Sequence, residues 1–168
     1  KTGLLKDIQE YSKRDGNILG ICGGLQMLGE YLDDPHSKEG SNSSIKKSFK
    51  GIGLLPLKTI FSKDKITKRI TCYSNWPCTQ KIDGFEIHNG ITKIIKKDNS
   101  CNVCDIFREN SLGWYVDCDE RGIIAGTYIH GLFENDKWIT SLINLLKEKK
   151  GIPILDKTNK SYKIKRES

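Results

Sequence analysis

The sequence predicts an α/β fold, a mostly parallel central sheet flanked by helices, and three observations predict it. Asn17-Ile18-Leu19-Gly20-Ile21 and the longer stretch 122–130 are nearly continuous apolar runs, the pattern of strands covered on both faces. Segments with helical spacing flank them, and the middle of the chain is rich in alternating and β-branched residues. Buried strands beside amphipathic helices argue for layers of both.

Taken in order, Leu4, Leu5, Ile8 and Tyr11 fall on one helical face before the polar turn 12–16. The first apolar strand comes next. Residues 25–32 return to helical spacing, and Asp33-Asp34-Pro35 is expected to stop that helix. Residues 36–50, rich in Ser and Lys, read as a loop. Strands are predicted over 52–61, 65–72, 84–88, 92–95 and 114–116, then over the second apolar run. Asn135 or Asp136 can cap a last helix whose apolar face is Trp138, Ile139, Leu142, Ile143, Leu145 and Leu146. Lys147, Lys149 and Lys150 suit its C-terminal dipole, and Gly151 with Pro153 ends it. One domain, 1–150, and a basic tail, 151–168, are expected.

At 168 residues there is room for one domain. No apolar stretch is long enough to span a membrane as a helix, so a membrane partner is not expected. The net charge of +7 invites a nucleic-acid reading, but nine of the 28 basic residues lie from Lys137 onward and residues 1–136 are nearly neutral. Lysines outnumber arginines 23 to 5, whereas base readout favours bidentate Arg. Nucleic acid is therefore excluded as the expected partner. The six cysteines (22, 72, 78, 101, 104 and 118), with no signal peptide, suggest a reduced, cytoplasmic chain. The start, Lys1-Thr2-Gly3-Leu4-Leu5, reads like the interior of a longer protein.

Gly20-Ile21-Cys22-Gly23-Gly24 carries the chemistry. It is a G-x-C-x-G between a buried strand and an amphipathic helix, the cysteine form of a nucleophile elbow. The turn is sharp enough that Gly20 and Gly24, two residues either side of Cys22, are expected to need bare backbones. Cys22 is expected in strained backbone with its sulfur exposed at the sheet edge and its thiolate favoured by the helix N-terminus. The Gly23 N–H then points to where an oxyanion forms. His130, ending the second buried strand, is the expected proton partner; His88 is the second choice, and His36 lies in the polar loop.

From Gly20 to Gly29 the chain resembles the nucleophile segment of the class I (triad) glutamine amidotransferases, and more narrowly the C-terminal glutaminase domains of the cobyric acid synthase family. Further blocks carry the resemblance: Asp34-Pro35 with Glu39; Gly51-Ile52-Gly53-Leu54-Leu55-Pro56 with Thr59, Phe61 and Lys65; Gly84-Phe85-Glu86-Ile87-His88-Asn89-Gly90; and Gly126-Thr127-Tyr128-Ile129-His130-Gly131-Leu132-Phe133. The resemblance implies a flavodoxin-like architecture whose first strands would precede Lys1. It implies that Cys22 attacks glutamine, that His130 moves the protons, that Gly23 holds the oxyanion and that Gln26 borders the glutamine pocket. It implies a partner synthetase domain, also preceding Lys1, that uses ATP and Mg²⁺ to amidate a corrinoid acceptor. No G-x-x-x-x-G-K-[ST] loop occurs here, so no cofactor is expected on this chain. Triad members place a Glu two residues after the His; Leu132 stands there, which implies a Cys22–His130 dyad, with Glu134 the nearest carboxylate in sequence.

Two other readings compete. One is a glutaminase subunit of the lipid II isoglutaminyl synthase type, amidating a cell-wall precursor; the His130–Asn135 ending and the 51–65 block favour the cobyric acid synthase resemblance. The other is a catalytically silent binding module. Cys101-Asn102-Val103-Cys104 has no partner pair at zinc-finger spacing, so no metal site is expected even when Cys72, Cys78 and Cys118 are counted. Glu86 and His88 read equally as part of the active edge or as a half-buried strand pair. Trp114, Tyr115 and Trp138 read as core.

Overall fold

A computed structural model describes residues 3–35, 47–95, 102–109, 111–116 and 122–154. In chain order these form α1 (Leu4–Lys13), β1 (Ile18–Ile21), α2 (Gly23–Leu28), β2 (Tyr31–Asp34), β3 (Lys47–Lys50), β4 (Leu57–Ser74), β5 (Gln80–Ile94), β6 (Val103–Asp105), β7 (Gly113–Val116), β8 (Ile124–Thr127), β9 (Ile129–His130), a 3₁₀ turn (Leu132–Glu134) and α3 (Asp136–Lys149).

The α/β class holds, but the sheets among the described residues are mixed rather than mostly parallel. One sheet runs β1-β8-β7-β6 and the other β3-β2-β4-β5-β9. Only β1 with β8 and β2 with β4 pair in parallel. The remaining pairings are antiparallel. The physical reason lies in the connections. Parallel neighbours need a long crossover, whereas β4 and β5 are joined by a tight turn around Trp76-Pro77. Strands predicted separately over 52–61 and 65–72 fuse into the long β4, whose pairing with β5 shifts register between Ile60 and Lys65. Those at 84–88 and 92–95 fuse into β5.

Other differences have local causes. The second helix ends at Leu28, before the Asp33-Asp34-Pro35 stop, and Tyr31–Asp34 is a strand. Apolar residues at 31 and 32 fit either element, and pairing with β3 and β4 decides for the strand. The stretch 47–50 of the expected loop is β3; residues 36–46, with His36 and Glu39, lie outside the described residues, as does the tail from 155. Leu4, Leu5 and Tyr11 on α1 are about half exposed, so the helix is held by half-buried Ile8 and by Gln9, whose Nε2 donates to the Ile52 carbonyl at 2.9 Å. Ile143 of α3 is likewise exposed, while Trp138 and Leu142 are buried. Asn135 occupies the cap position without a side-chain cap bond. Its amide instead donates to the carbonyls of Asp83, Gly131 and Leu132 and accepts from the Asp83 N–H, tying the end of β9 to β5.

Two buried clusters fill the molecule. One joins α3 and the β4–β5 hairpin through Trp138, Trp76, Ile82, Ile129 and Leu132. Trp138 donates its indole N–H to the Trp76 carbonyl at 3.0 Å; Trp138 and Trp114 are core as expected, in different clusters, while Tyr115 is half-buried and stacked on Trp76 at 4.7 Å. The other packs Leu25 and Leu28 of α2 against Leu55, Leu57, Trp114 and Tyr128. Tyr128 is the buried pivot at which the second apolar run leaves one sheet as β8 and enters the other as β9. No described helix is long and apolar enough to cross a membrane.

Candidate active site

Cys22 sits between β1 and α2 with φ 54° and ψ −113°. That backbone costs a β-carbon-bearing residue about 1–3 kcal/mol and persists only where the surroundings enforce it. The enforcement is visible. The Cys22 N–H donates to the Thr127 carbonyl at 2.8 Å, extending the β1–β8 pairing to the elbow, while the Cys22 carbonyl accepts from the Gln26 N–H as α2 begins. A Cβ on Gly20 would lie 2.6 Å from the Gly24 carbonyl carbon and 2.7 Å from the Leu25 nitrogen, so strand and helix can meet only over a bare residue. For Gly24 the expectation is corrected: a Cβ there meets nothing within 4 Å, because it would face an apolar cleft between α1 and α2 rather than the turn. Gly20→Ala is therefore expected to lose on the order of 2 kcal/mol or more of stability, and Gly24→Ala none. Urea unfolding midpoints measure both.

The thiol donates to the Ile87 carbonyl of β5 at 3.2 Å. It opens onto a cleft of about 570 Å³ lined by Gly23, Gln26, Phe49, Phe61, Lys65, His88 and Asn89 among others. Gly23 is the first residue of α2, where a backbone N–H has no acceptor within the helix. Gln26 is buried, and its Nε2 donates to the Asn89 backbone carbonyl at 3.0 Å, which fixes the β5 wall against α2. Gly23 and Gln26 thus both line the cleft beside Cys22.

The two histidines separate by their partners. His88 is buried in β5, stacked on Tyr128 with ring centroids 3.9 Å apart. Its Nδ1 lies 3.0 Å from the Gly90 carbonyl and its Nε2 3.0 Å from Glu86 Oε1. The carbonyl can only accept, so Nδ1 donates to it, and Nε2 is committed to the Glu86 carboxyl. The other Glu86 oxygen takes Lys68 at 3.0 Å. Glu86 and His88 are therefore a buried pair within β5, and of the two only His88 lines the cleft. With both nitrogens engaged, His88 has none to offer the thiol.

His130 ends β9 and pairs across to Phe85. Its Nε2 is buried with no hydrogen-bond partner among the described residues. It does not line the cleft. Phe85 and Ile87 lie on one face of β5, so the residue opposite His130 and the carbonyl holding the thiol are two positions apart, roughly 7 Å along the strand. Gly84 permits this approach, since a Cβ there would meet the His130 carbonyl at 2.6 Å.

Cys72 is fully buried and does not line the cleft. Burial, with Glu109, Asp83 and Glu86 nearby, pushes the Cys72 thiol up to about 12, so it stays protonated and inert. Burial likewise raises the Tyr128 phenol, which stays protonated in contact with Thr92 and Gln26. Cys101 and Cys118 lie outside the described residues. Sequence reasoning missed Ile87, whose contribution is a backbone carbonyl. It also missed Lys65 and Asn89 as cleft residues, which share a register pair only because β4 and β5 form one hairpin.

The CobB/CobQ-like glutamine amidotransferase domain model matches residues 1–138. Cobyric acid synthases of Prochlorococcus marinus are similar across the whole chain: that of strain AS9601 is 55% identical over 168 residues, 100% of this chain and 33% of the relative. That of strain MIT 9515 is 56% identical over 169 residues, again 100% of this chain and 33% of the relative. That of strain NATL2A is 44% identical over 99% of this chain and 33% of its own length. The chain thus spans about a third of the length of these relatives. With a strained cysteine elbow opening on a cleft and a family match over most of its length, the chain belongs to the CobB/CobQ-like glutamine amidotransferase domains.

Proposed function

We propose that this chain is the glutaminase part of a cobyric acid synthase, releasing ammonia from glutamine through Cys22 and His130. The observation that carries the reading is the positive-φ elbow at Cys22, set beside a cleft, in a chain that resembles cobyric acid synthases from end to end. His130 is preferred over His88 because its buried Nε2 is uncommitted among the described residues, whereas both His88 nitrogens are bonded.

In this reading His130 takes the thiol proton and the Cys22 thiolate attacks the side-chain carbonyl carbon of glutamine. The Gly23 N–H stabilises the resulting oxyanion. The C–N bond breaks as His130 returns the proton to the departing nitrogen, leaving ammonia and a γ-glutamyl thioester. Water, deprotonated by His130, then cleaves the thioester to glutamate and restores the thiol. The ammonia passes to an ATP- and Mg²⁺-dependent synthetase part, which amidates corrinoid carboxylates in the cytoplasm. The β1–β8 parallel pair would be one portion of a larger flavodoxin-like sheet, extended at the outer edge of β1. Trapping tests the chemistry: with glutamine and hydroxylamine the protein is expected to form γ-glutamylhydroxamate, the product of a thioester intercepted before water. Glutamate release with no hydroxamate at saturating hydroxylamine would argue against the covalent route.

A further inference from the structure

We propose that Tyr128 is a positioning residue for the glutaminase step: its buried hydroxyl fixes the two sheets against each other, and thereby the Cys22 thiol against the His130 ring. This deepens the glutaminase reading above and rests on it. The need for such a residue follows from the topology. Cys22 hangs from the end of β1, in the sheet β1-β8-β7-β6, whereas His130 ends β9, in the sheet β3-β2-β4-β5-β9. Nucleophile and proton partner are carried by different sheets, so pairing within either sheet cannot set the gap between them. Proton transfer needs hydrogen-bond reach, and a misplacement of about 1 Å can cost a hundredfold in rate.

Tyr128 stands at the joint. It lies between β8 and β9, one residue after Thr127 and two before His130. Thr127 holds the elbow through its carbonyl, which accepts the Cys22 N–H at 2.8 Å, and holds β9 through its hydroxyl, which accepts the Ile129 N–H at 3.0 Å. The Tyr128 side chain is fully buried. Its hydroxyl contacts Gln26 of α2 and lies 2.5 Å from Thr92 Oγ1 of β5, which in turn lies 2.6 Å from Thr59 Oγ1 of β4. One buried chain of polar groups thus ties the helix that starts at the elbow to the hairpin against which β9 pairs. Gln26 continues the chain to the Asn89 backbone carbonyl at 3.0 Å, two residues from the Ile87 carbonyl that takes the thiol. The ring stacks on His88, which fixes the direction in which the hydroxyl points. Stability alone does not ask for this arrangement, since apolar groups of the same shape in place of both partners of a buried hydrogen bond are nearly neutral. What the hydroxyls add is a fixed spacing between named atoms on three elements.

Tyr128→Phe keeps the ring on His88 and removes only the hydroxyl. Two quantities are measured: kcat and KM for glutamine hydrolysis, and the rate at which iodoacetamide alkylates Cys22, quantified on its peptide. The variant is expected to lower kcat by about ten- to a hundredfold while KM stays within about threefold, because reacting geometry is lost and substrate binding is not. Alkylation reports the thiolate without any substrate, and it is expected to slow by about tenfold. In a His130→Ala background, where alkylation is already slow, adding Tyr128→Phe is expected to change it by less than about twofold, because the hydroxyl acts through His130. Thr92→Val removes the next hydroxyl of the chain and is expected to give the same pattern more weakly; it carries the test if Tyr128→Phe does not fold. Equal slowing of alkylation with and without His130, a rise in KM with kcat unchanged, or no effect on kcat would overturn the assignment. A folded His130→Ala protein alkylated as fast as wild type would instead remove His130 as the thiol's proton partner, and the reading on which Tyr128 depends with it.

Discussion

On the glutaminase reading, replacing Cys22 by alanine is expected to abolish glutamine hydrolysis by the protein. The loss should be at least about 10⁴-fold in glutamine turnover, near 5.5 kcal/mol of barrier, because without the thiolate no covalent route remains. Alanine keeps the β-carbon and therefore the backbone strain at φ 54°, and loses only the thiol's hydrogen bond to the Ile87 carbonyl, so the fold should survive and the unfolding midpoint serves as the control. Retention of substantial glutamine turnover by a folded Cys22→Ala protein would remove Cys22 from the mechanism. Loss of turnover together with a lowered unfolding midpoint would point instead to a role of the elbow in holding the protein together.

The elbow was legible because its constraints are local. A strand, a bare Gly20 and a helix start within a dozen residues leave Cys22 one backbone conformation, and sequence spacing records all three. The His130 end of the second apolar run was legible for the same reason, although not that the run changes sheets at Tyr128. Nothing in an unbroken apolar stretch marks such a pivot, since both halves are equally buried. The sheet order was illegible because hydrophobic pattern reports burial: β5 buries alternate residues along most of its length and β4 only at its two ends, and neither pattern says whether a neighbour runs parallel or antiparallel. The cleft wall shows the limit most clearly. Ile87 and Asn89 act through backbone carbonyls, and His88 is disqualified as a base by a carboxyl two residues away on its own strand. Which β4 residue faces Asn89 depends in turn on hairpin register, which the residues at 60–65 shift by a bulge that no motif announces.

The proton partner gives the second large effect, and the geometry says which carboxylate does not share in it. His130→Ala is expected to remove most glutamine turnover, since both ring nitrogens of His88, the other described histidine, are engaged. The position two residues on, where triad members carry Glu, is Leu132; it is 1% exposed and packed in the core beside Trp138, so it neither orients an imidazole nor stabilises its charge. Glu134 lies in the 3₁₀ turn after Gly131. The turn is closed by the Glu134 N–H donating to the Gly131 carbonyl at 3.0 Å, and the exposed Glu134 carboxylate lies over Gly131. The chain has by then left the strand, and the His130 Nε2 has no partner among the described residues there. Losing an orienting carboxylate from a full triad costs as much as about 10⁴ in kcat. Glu134→Gln is expected to cost less than about tenfold, under roughly 1.4 kcal/mol of barrier, and to leave the pH dependence of glutamine turnover in place. A loss of several orders of magnitude in a folded Glu134→Gln protein would mean that the turn rearranges on substrate binding and delivers Glu134 to His130 as a displaced third member.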